Sequence, residues 1–227
     1  MNELNLVPCN NMAVDKAYII TVKDNEISEM LSSRSQKSCE EVGMPFQTWQ
    51  AFDGTTGTIK VPENLKNASW LKWFKLYETY LSPTEVACYL SHLSLWVHCM
   101  EIDQPIVILE HDAVMVKAYK NHFGFNQIVY LGCNEQANGW NVTPIPPLGQ
   151  RNPHYKFMLR AHAYAVDPHS AKNLVAHTLK HGINESLDVT IRADLFGIIQ
   201  GGLFAFDIPY HESTINSRLK HRDGTER

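Results

Sequence analysis

Two carboxylates flank a histidine at the end of a short apolar run. Ile106-Val107-Ile108-Leu109 has the composition of a buried central strand, and Glu110-His111-Asp112 closes it. Because alternate residues of a strand point the same way, Glu110 and Asp112 are predicted to present oxygens on one side. Carboxylate oxygens hold divalent cations, which neutralise charge that develops on a phosphate leaving group. A solvated strand end is the alternative explanation of this triplet.

A well-marked helix precedes that strand. Ser82-Pro83-Thr84-Glu85 combines a serine N-cap, a proline in the first turn and a glutamate able to complete a capping box. Ser91 and His92 lie in the middle of this helix, so they are candidates for contacting a bound ligand. A hydrogen-bonded core histidine explains them equally well. The predicted buried face consists of Val86, Tyr89, Leu90, Leu93, Val97 and Met100.

The remaining elements predict an α/β fold. A strand over residues 17–22, a helix over 27–42 ended by Gly43, and a strand over 45–52 form a βαβ beginning. Asp53 and Gly54 follow the second strand. Further strands are predicted at residues 128–131, 160–166 and 203–208, and further helices at 65–80 and from Asp167-Pro168 to about 181.

The composition fits one globular domain. The chain has 227 residues, of which 44% are hydrophobic and 19% charged. The formal charge of -4 comes from 24 acidic and 20 basic residues without a long run of either sign, so a nucleic-acid partner is not indicated. We predict a polar leader over residues 1–16, one domain over 17–211 and a polar tail over 212–227 that is partly disordered or folded over a ligand.

The cysteines and the amino-terminal segment predict a cytoplasmic protein. The five cysteines are scattered, and none has C-x-x-C spacing. This pattern favours reduced thiols. The leader lacks a basic start followed by an apolar stretch, and no window approaches the roughly 18 apolar residues of a membrane span. We expect no transmembrane segment and at most peripheral membrane association.

Several ordered motifs resemble glycosyltransferase family 25. They are residues 81–96, which contain the capped helix, and residues 106–113, which contain the triplet. Residues 43–46 and 51–54 resemble the early segment of the family, and residues 163–166 and 171–174 its later strand and helix. The family includes bacterial lipopolysaccharide galactosyltransferases and collagen galactosyltransferase domains.

The chain departs from the family pattern at two places. Where the family usually has Glu-Asp-Asp, this chain has Glu110-His111-Asp112, so the outer carboxylates remain and His111 can add a nitrogen ligand or change metal preference. Thr21-Val22-Lys23-Asp24 matches only part of an Asn-Leu-Asp-Arg-like segment after the first strand.

The resemblance implies a GT-A type nucleotide-sugar-binding fold with a mostly parallel central sheet flanked by helices. It also implies Mn²⁺ or Mg²⁺ as cofactor and a UDP-sugar as donor, with Asp112 as the principal metal ligand, Glu110 in support and His211 completing the metal shell. The expected reaction is inverting transfer of a hexose, galactose or glucose, to a hydroxyl of a glycan or lipopolysaccharide-type acceptor. The alternative is a catalytically degenerate relative that binds nucleotide or sugar without turnover.

The same resemblance suggests roles for two further aspartates. An inverting transfer needs a general base, and Asp188 lies in a segment similar to the Pro-Val-Asp segment of the family. An N-cap or a salt bridge to Arg192 would also explain Asp188. Asp53 is a candidate for holding the uracil or ribose, and a turn residue before Gly54 is the alternative. Ser91 and His92 are then candidates for contacts with the donor.

Overall fold

The amino-terminal part of the chain forms three parallel strands and two long helices. The computed structural model describes residues 14, 16–73, 80–120, 127–133, 157–158 and 160–207. The predicted tail, His211 and nearly all of the predicted leader lie outside these residues. The first elements are β1 (Ala17–Thr21), α1 (Glu26–Val42), β2 (Phe46–Gln50), α2 (Pro83–Ile102) and β3 (Ile106–Glu110).

Local sequence sets the ends of both helices. The Asn25 side chain accepts a hydrogen bond from the Ser28 N–H at the start of α1, and Gly43 ends that helix at φ 68°. Ser82 and Glu85 form the predicted capping box at the start of α2. These caps satisfy backbone groups that the helices themselves leave without partners.

The later strands make the sheet mixed. They are β4 (Ala113–Met115), β5 (Ile128–Cys133), β6 (Ala163–Val166) and β7 (Ile198–Asp207), with helices α3 (Pro168–His181) and α4 (Leu187–Thr190). In the described residues the sheet order is β2-β1-β3-β6-β5-β7-β4. β1 pairs in parallel with β2 and β3, and β5 with β7. β6 runs antiparallel to both β3 and β5, and β4 antiparallel to β7.

The predicted α/β class is confirmed, and the mostly parallel sheet is wrong. The structure has a curled, mixed sheet flanked by helices because β6 enters between β3 and β5 in the opposite direction. Parallel neighbours in a sheet must be joined by a crossover connection, usually a helix, whereas antiparallel neighbours need none.

Two predicted elements differ in the structure. In place of an α-helix over residues 65–80 there are 3-10 helices at Glu63–Leu65 and Ser69–Trp73, held by bonds such as Leu71 N–H to the Ala68 carbonyl; residues 74–79 lie outside the described part. β7 starts at Ile198 and runs through the two glycines that were expected to precede the strand. Gly201 fits there because a Cβ would approach Val129 Cγ1 to 2.6 Å.

The core lies on both faces of the sheet. On one face α2 packs against α3 and the sheet, with Trp96 and Tyr89 among its largest buried side chains. The predicted inner face of α2 is buried except for Met100, which is partly buried. None of the helices in the described ranges is long and apolar enough to cross a membrane.

Candidate functional site

A pocket opens at the carboxyl ends of the parallel strands β2, β1 and β3. We call it the edge pocket. Ligands of open α/β sheets bind at this edge because the strands end together there and helices begin beside them. Its polar or ionisable lining residues include Asp53, Thr55, Cys88, Ser91, His92, Glu110 and His111.

Asp53 and Ser91 hold the wall that follows β2. Asp53 Oδ1 accepts a hydrogen bond from Thr55 N–H at 2.7 Å, and Asp53 Oδ2 lies 3.4 Å from Lys60 Nζ. Burial would raise the pKa of Asp53, but Thr55 and Lys60 outweigh it and lower that pKa. Ser91 Oγ accepts from Phe52 N–H at 2.9 Å and donates to the Ala87 carbonyl. Asp53 is thus a turn residue that also lines the pocket, and Ser91 anchors the neighbouring backbone to α2.

A chain of buried polar side chains leads to the carboxylate at the end of β3. Trp96 Nε1 donates to Tyr164 Oη at 2.8 Å, and Tyr164 Oη lies 2.9 Å from Nδ1 of the fully buried His92. His92 Nε2 then lies 3.3 Å from Glu110 Oε1. His92 is therefore a hydrogen-bonded core histidine that also reaches the edge pocket.

Cys88 joins His92 and Glu110 in a group that can hold a metal ion. Cys88 Sγ lies 3.8 Å from Glu110 Oε1, and the three ligand atoms all lie within 4.8 Å of one another. Burial, then the charge of Glu110, raises the pKa of the Cys88 thiol well above its usual range, so this sulfur is protonated without a cation.

Asp112 is a buried carboxylate with an unused oxygen. β3 ends at Glu110, so His111 and Asp112 form a turn before β4 and not the strand continuation that the alternation argument assumed. Asp112 is 9% exposed, and its Oδ1 has no hydrogen-bond partner in the described part of the chain. Burial, followed by the charges of Glu110 and Asp207, raises the pKa of Asp112 to about 8. A cation at this oxygen would remove that penalty.

Asp188 and Asp207 hold an arginine beside Asp112. Asp188 accepts hydrogen bonds from the backbone N–H groups of Arg160 at 2.8 Å and Ala161 at 3.3 Å. Arg160 has the left-handed φ of 59°, and its Nη1 lies 3.0 Å from Asp207 Oδ2. We call Asp112, Asp188, Asp207 and Arg160 the acidic cluster.

Neither of the simpler explanations of Asp188 holds. Ser186, not Asp188, is the N-cap of α4. Arg192 pairs with Asp194 at 2.8 Å. Burial, then the charge of Glu110, raises the pKa of Asp188, which brings this carboxylate closer to the range of a proton acceptor at neutral pH.

His111 faces the first helix. Its Nδ1 lies 3.2 Å from Ser28 Oγ, and the same hydroxyl accepts a hydrogen bond from Val22 N–H at 2.9 Å. Burial lowers the pKa of His111, which keeps the imidazole neutral at pH 7. The residue that departs from the family triplet therefore ties the turn after β3 to α1.

The family model for glycosyltransferase family 25, described as an LPS biosynthesis protein, matches residues 15–132, more than half of the chain. The chain belongs to glycosyltransferase family 25. Its enzymatic class is therefore glycosyl transfer. No curated protein matches the chain. The family 25 match covers the edge pocket and Asp112, whereas Arg160, Asp188 and Asp207 lie beyond it.

The predicted site residues of this family 25 chain fall into two adjacent groups. Asp53, Ser91, His92 and Glu110 line the edge pocket, Asp112 and Asp188 lie in the acidic cluster, and His211 lies outside the described residues. Glu110 connects the groups, because its charge raises the pKa of Cys88, Asp112 and Asp188.

Sequence reasoning missed Cys88, Arg160 and Asp207. Cys88 and His92 lie four residues apart on a predicted helix, which places them on one face, so that pair had a readable signal. Asp207, the last residue of β7, reaches the site because it pairs with Ala113 of β4. A single sequence does not show which strands pair or in which register.

Proposed function

We propose that the protein is a GT-A type, metal-dependent, inverting hexosyltransferase that moves galactose or glucose from a UDP-sugar to a hydroxyl of a glycan or lipopolysaccharide-type acceptor. One observation carries the proposal: a family 25 chain places the buried, unpartnered Oδ1 of Asp112 next to the pocket at the carboxyl edge of its parallel strands. Residues 17–211 would form the catalytic domain.

The edge pocket suits the nucleotide part of the donor. Asp53 has acceptor capacity left beside its bonds to Thr55 and Lys60, so it can accept from a ribose hydroxyl or the uracil N–H. Phe52 and Ala51 add buried apolar surface to the same wall. The diphosphate would then extend towards Glu110 and the acidic cluster.

Glu110 and Asp112 fit a Mn²⁺ or Mg²⁺ ion. Both are oxygen donors, and burial together with the charges of Glu110 and Asp207 raises the pKa of Asp112, a penalty that a cation at this position would offset. When bound, the ion neutralises charge on the departing diphosphate. Arg160, held next to Asp207, is the nearby protein cation that can contact the same phosphates.

Asp188 is the proposed general base. Two backbone N–H groups fix the orientation of its carboxylate, and the remaining lone pairs can accept the proton of an acceptor hydroxyl. Replacement of Asp188 by Asn should lower kcat by about 10²–10⁴-fold and leave KM for the donor within a factor of about three. Unchanged kcat with weakened donor binding would assign Asp188 to positioning alone.

Localisation and acceptor class complete the proposal. Cys39, Cys88 and Cys99 carry free thiols, as expected for a reducing compartment such as the cytoplasm. The acceptor class follows the family description, which names lipopolysaccharide biosynthesis.

Donor consumption tests the proposal. Incubation with a panel of UDP-sugars and Mn²⁺ should release UDP slowly, and chelator or Asp112→Asn should abolish the release. Asp24→Asn is the matched control, because Asp24 is exposed and its left-handed backbone accepts asparagine. Calorimetry tests the alternative that the altered residue His111 motivates. Metal-dependent UDP binding without consumption of any donor would identify a catalytically degenerate relative.

A further inference from the structure

Cys88, His92 and Glu110 carry three different donor atoms at one place. Cys88 and His92 stand one turn apart on α2, and Glu110 ends the neighbouring strand β3. In a tetrahedral zinc site, sulfur at about 2.3 Å and nitrogen or oxygen at about 2.0 Å from the ion put neighbouring ligand atoms roughly 3.3–3.5 Å apart. The separations here are 3.3 Å from His92 Nε2 to Glu110 Oε1 and 3.8 Å from Cys88 Sγ to the same oxygen.

The imidazole of His92 is oriented for coordination. Its Nε2 is fully buried and faces Glu110, yet it has no partner with hydrogen-bond geometry among the described residues. Its Nδ1 lies 2.9 Å from Tyr164 Oη, which itself accepts from Trp96. Metal-binding histidines use one nitrogen for the ion and fix the ring through a hydrogen bond at the other, and the contact of Nδ1 with Tyr164 Oη supplies that second bond.

We propose that Cys88, His92 and Glu110 form a second metal site, which takes a thiophilic divalent cation of the zinc class and competes with the oxygen-bound metal for Glu110. Thiolate and imidazole select zinc-like ions, whereas Mn²⁺ and Mg²⁺ favour oxygen ligands. On binding, the Sγ–H bond of Cys88 breaks and its proton passes to water. All three residues line the edge pocket, from which a water molecule would supply the fourth ligand.

Occupation of this site inhibits the transferase. Coordination to the zinc-class ion would hold Glu110 Oε1 against α2, where it already lies 3.3 Å from His92 Nε2, and so withhold that oxygen from the metal at Asp112. This consequence rests on the proposed function, whereas the site itself does not.

Cobalt is a spectroscopic probe for the site. Chelator-treated full-length protein titrated with Co²⁺ should develop the near-ultraviolet absorption of a thiolate-to-cobalt charge transfer. Cys88→Ser should abolish that absorption, and Cys99→Ser should retain it, because Cys99 lies on the same helix with its thiol on the Gln104 carbonyl. Absorption that survives Cys88→Ser, or that never forms in the parent protein, would overturn the site.

The histidine ligand has its own matched pair. His92→Gln should weaken Co²⁺ binding by at least tenfold, and His98→Gln, which alters a histidine of α2 paired with Tyr18, should leave it unchanged. Equal weakening by both variants would contradict the assignment of His92. If His92→Gln fails to fold, Cys88→Ser still decides whether the metal site exists, because that variant leaves the buried imidazole in place.

Zinc inhibition tests the competition. With UDP-sugar and Mn²⁺, Zn²⁺ should inhibit UDP release with an apparent constant that rises as Mn²⁺ rises, and Cys88→Ser should raise that constant at least tenfold. A constant independent of Mn²⁺ would overturn the sharing of Glu110. If no donor is consumed at all, the proposed function fails, and the Co²⁺ absorption still reports on the site.

Discussion

Glu110 lines the edge pocket and acts on the acidic cluster through its charge, but the two groups compensate charge in opposite ways. In the edge pocket, imidazoles and a lysine face the carboxylates, and the pKa values of Asp53 and Glu110 are lowered even though burial would raise them. In the acidic cluster, burial and the charge of Glu110 raise the pKa values of Asp112 and Asp188, and the charge of Asp207 raises that of Asp112 further. The carboxylates of the first group are compensated by basic side chains of the protein, whereas Asp112 in the second group keeps an oxygen without a partner among the described residues, which a cation would compensate.

The largest effect is expected where the two groups meet. Glu110→Gln removes the charge that His92 faces and an oxygen ligand beside Asp112, so kcat/KM for the donor should fall by at least about 10²-fold. Steady-state kinetics and Mn²⁺ titration measure this loss. Glu101→Gln, at the exposed end of α2, is the control. If Glu110→Gln lost Co²⁺ binding yet kept full Mn²⁺-dependent activity, Glu110 would serve the edge pocket and not the metal at Asp112.

A smaller change targets the edge pocket alone. Gly54 packs against the start of α2, and a Cβ there would collide with the backbone of Pro83. Gly54→Ala should therefore cost about 1–3 kcal/mol of unfolding free energy and weaken UDP binding. Denaturant unfolding and calorimetry measure both effects.

Gly197→Ala is the matched control, because its Cβ would make only an ordinary contact at 3.6 Å with Gln127. Equal UDP affinities for Gly54→Ala and the parent protein would contradict the proposal that the nucleotide binds against this wall of the edge pocket.

The smallest effect concerns the acidic cluster without metal. Since the pKa of Asp112 is raised to about 8, the folded chain holds this proton more tightly than the unfolded chain does. Ionisation of Asp112 costs no stability below about pH 4, the ordinary range of the group, and the cost grows as pH rises towards 8. Asp112→Asn should therefore gain up to roughly 1–3 kcal/mol over the parent protein across this window.

Thermal and denaturant unfolding in chelator between pH 4 and 9 measure this gain. Asp24→Asn is the control, since the side chain of Asp24 is exposed. A stability difference for Asp112→Asn that stayed constant across the window would contradict the uncompensated charge.

Features set by neighbours along the chain could be predicted from the sequence. The capping box of Ser82 and Glu85, the left-handed Gly43 and the N-cap at Asp167 all depend on residues within one turn, and all are present. The strand that ends at Glu110 was equally readable, because a buried central strand is apolar on both faces.

Features set by strand order could not be predicted. Nothing near residues 163–166 indicates that β6 runs antiparallel between β3 and β5. The predicted strand starts at residue 203, after the two glycines, whereas β7 starts at Ile198, and the packing of Val129 against Gly201 explains the glycine at position 201. The ion pair of Arg160 with Asp207 depends on the tertiary structure, so the sequence could not reveal it. The same is true of the hydrogen bond from the Arg160 N–H to Asp188.

The turn after β3 also determines when the site can form. β3 and β4 are joined by His111 and Asp112, yet they stand third and seventh in the sheet order, and β4 pairs with β7, which ends at Asp207. During synthesis the ribosome must therefore deliver the residues up to 207 before β4 has its partner strand. Until then Asp112 lacks Asp207, and an unpaired strand edge is open to association with other chains. The acidic cluster can therefore form only after β7 has been synthesised.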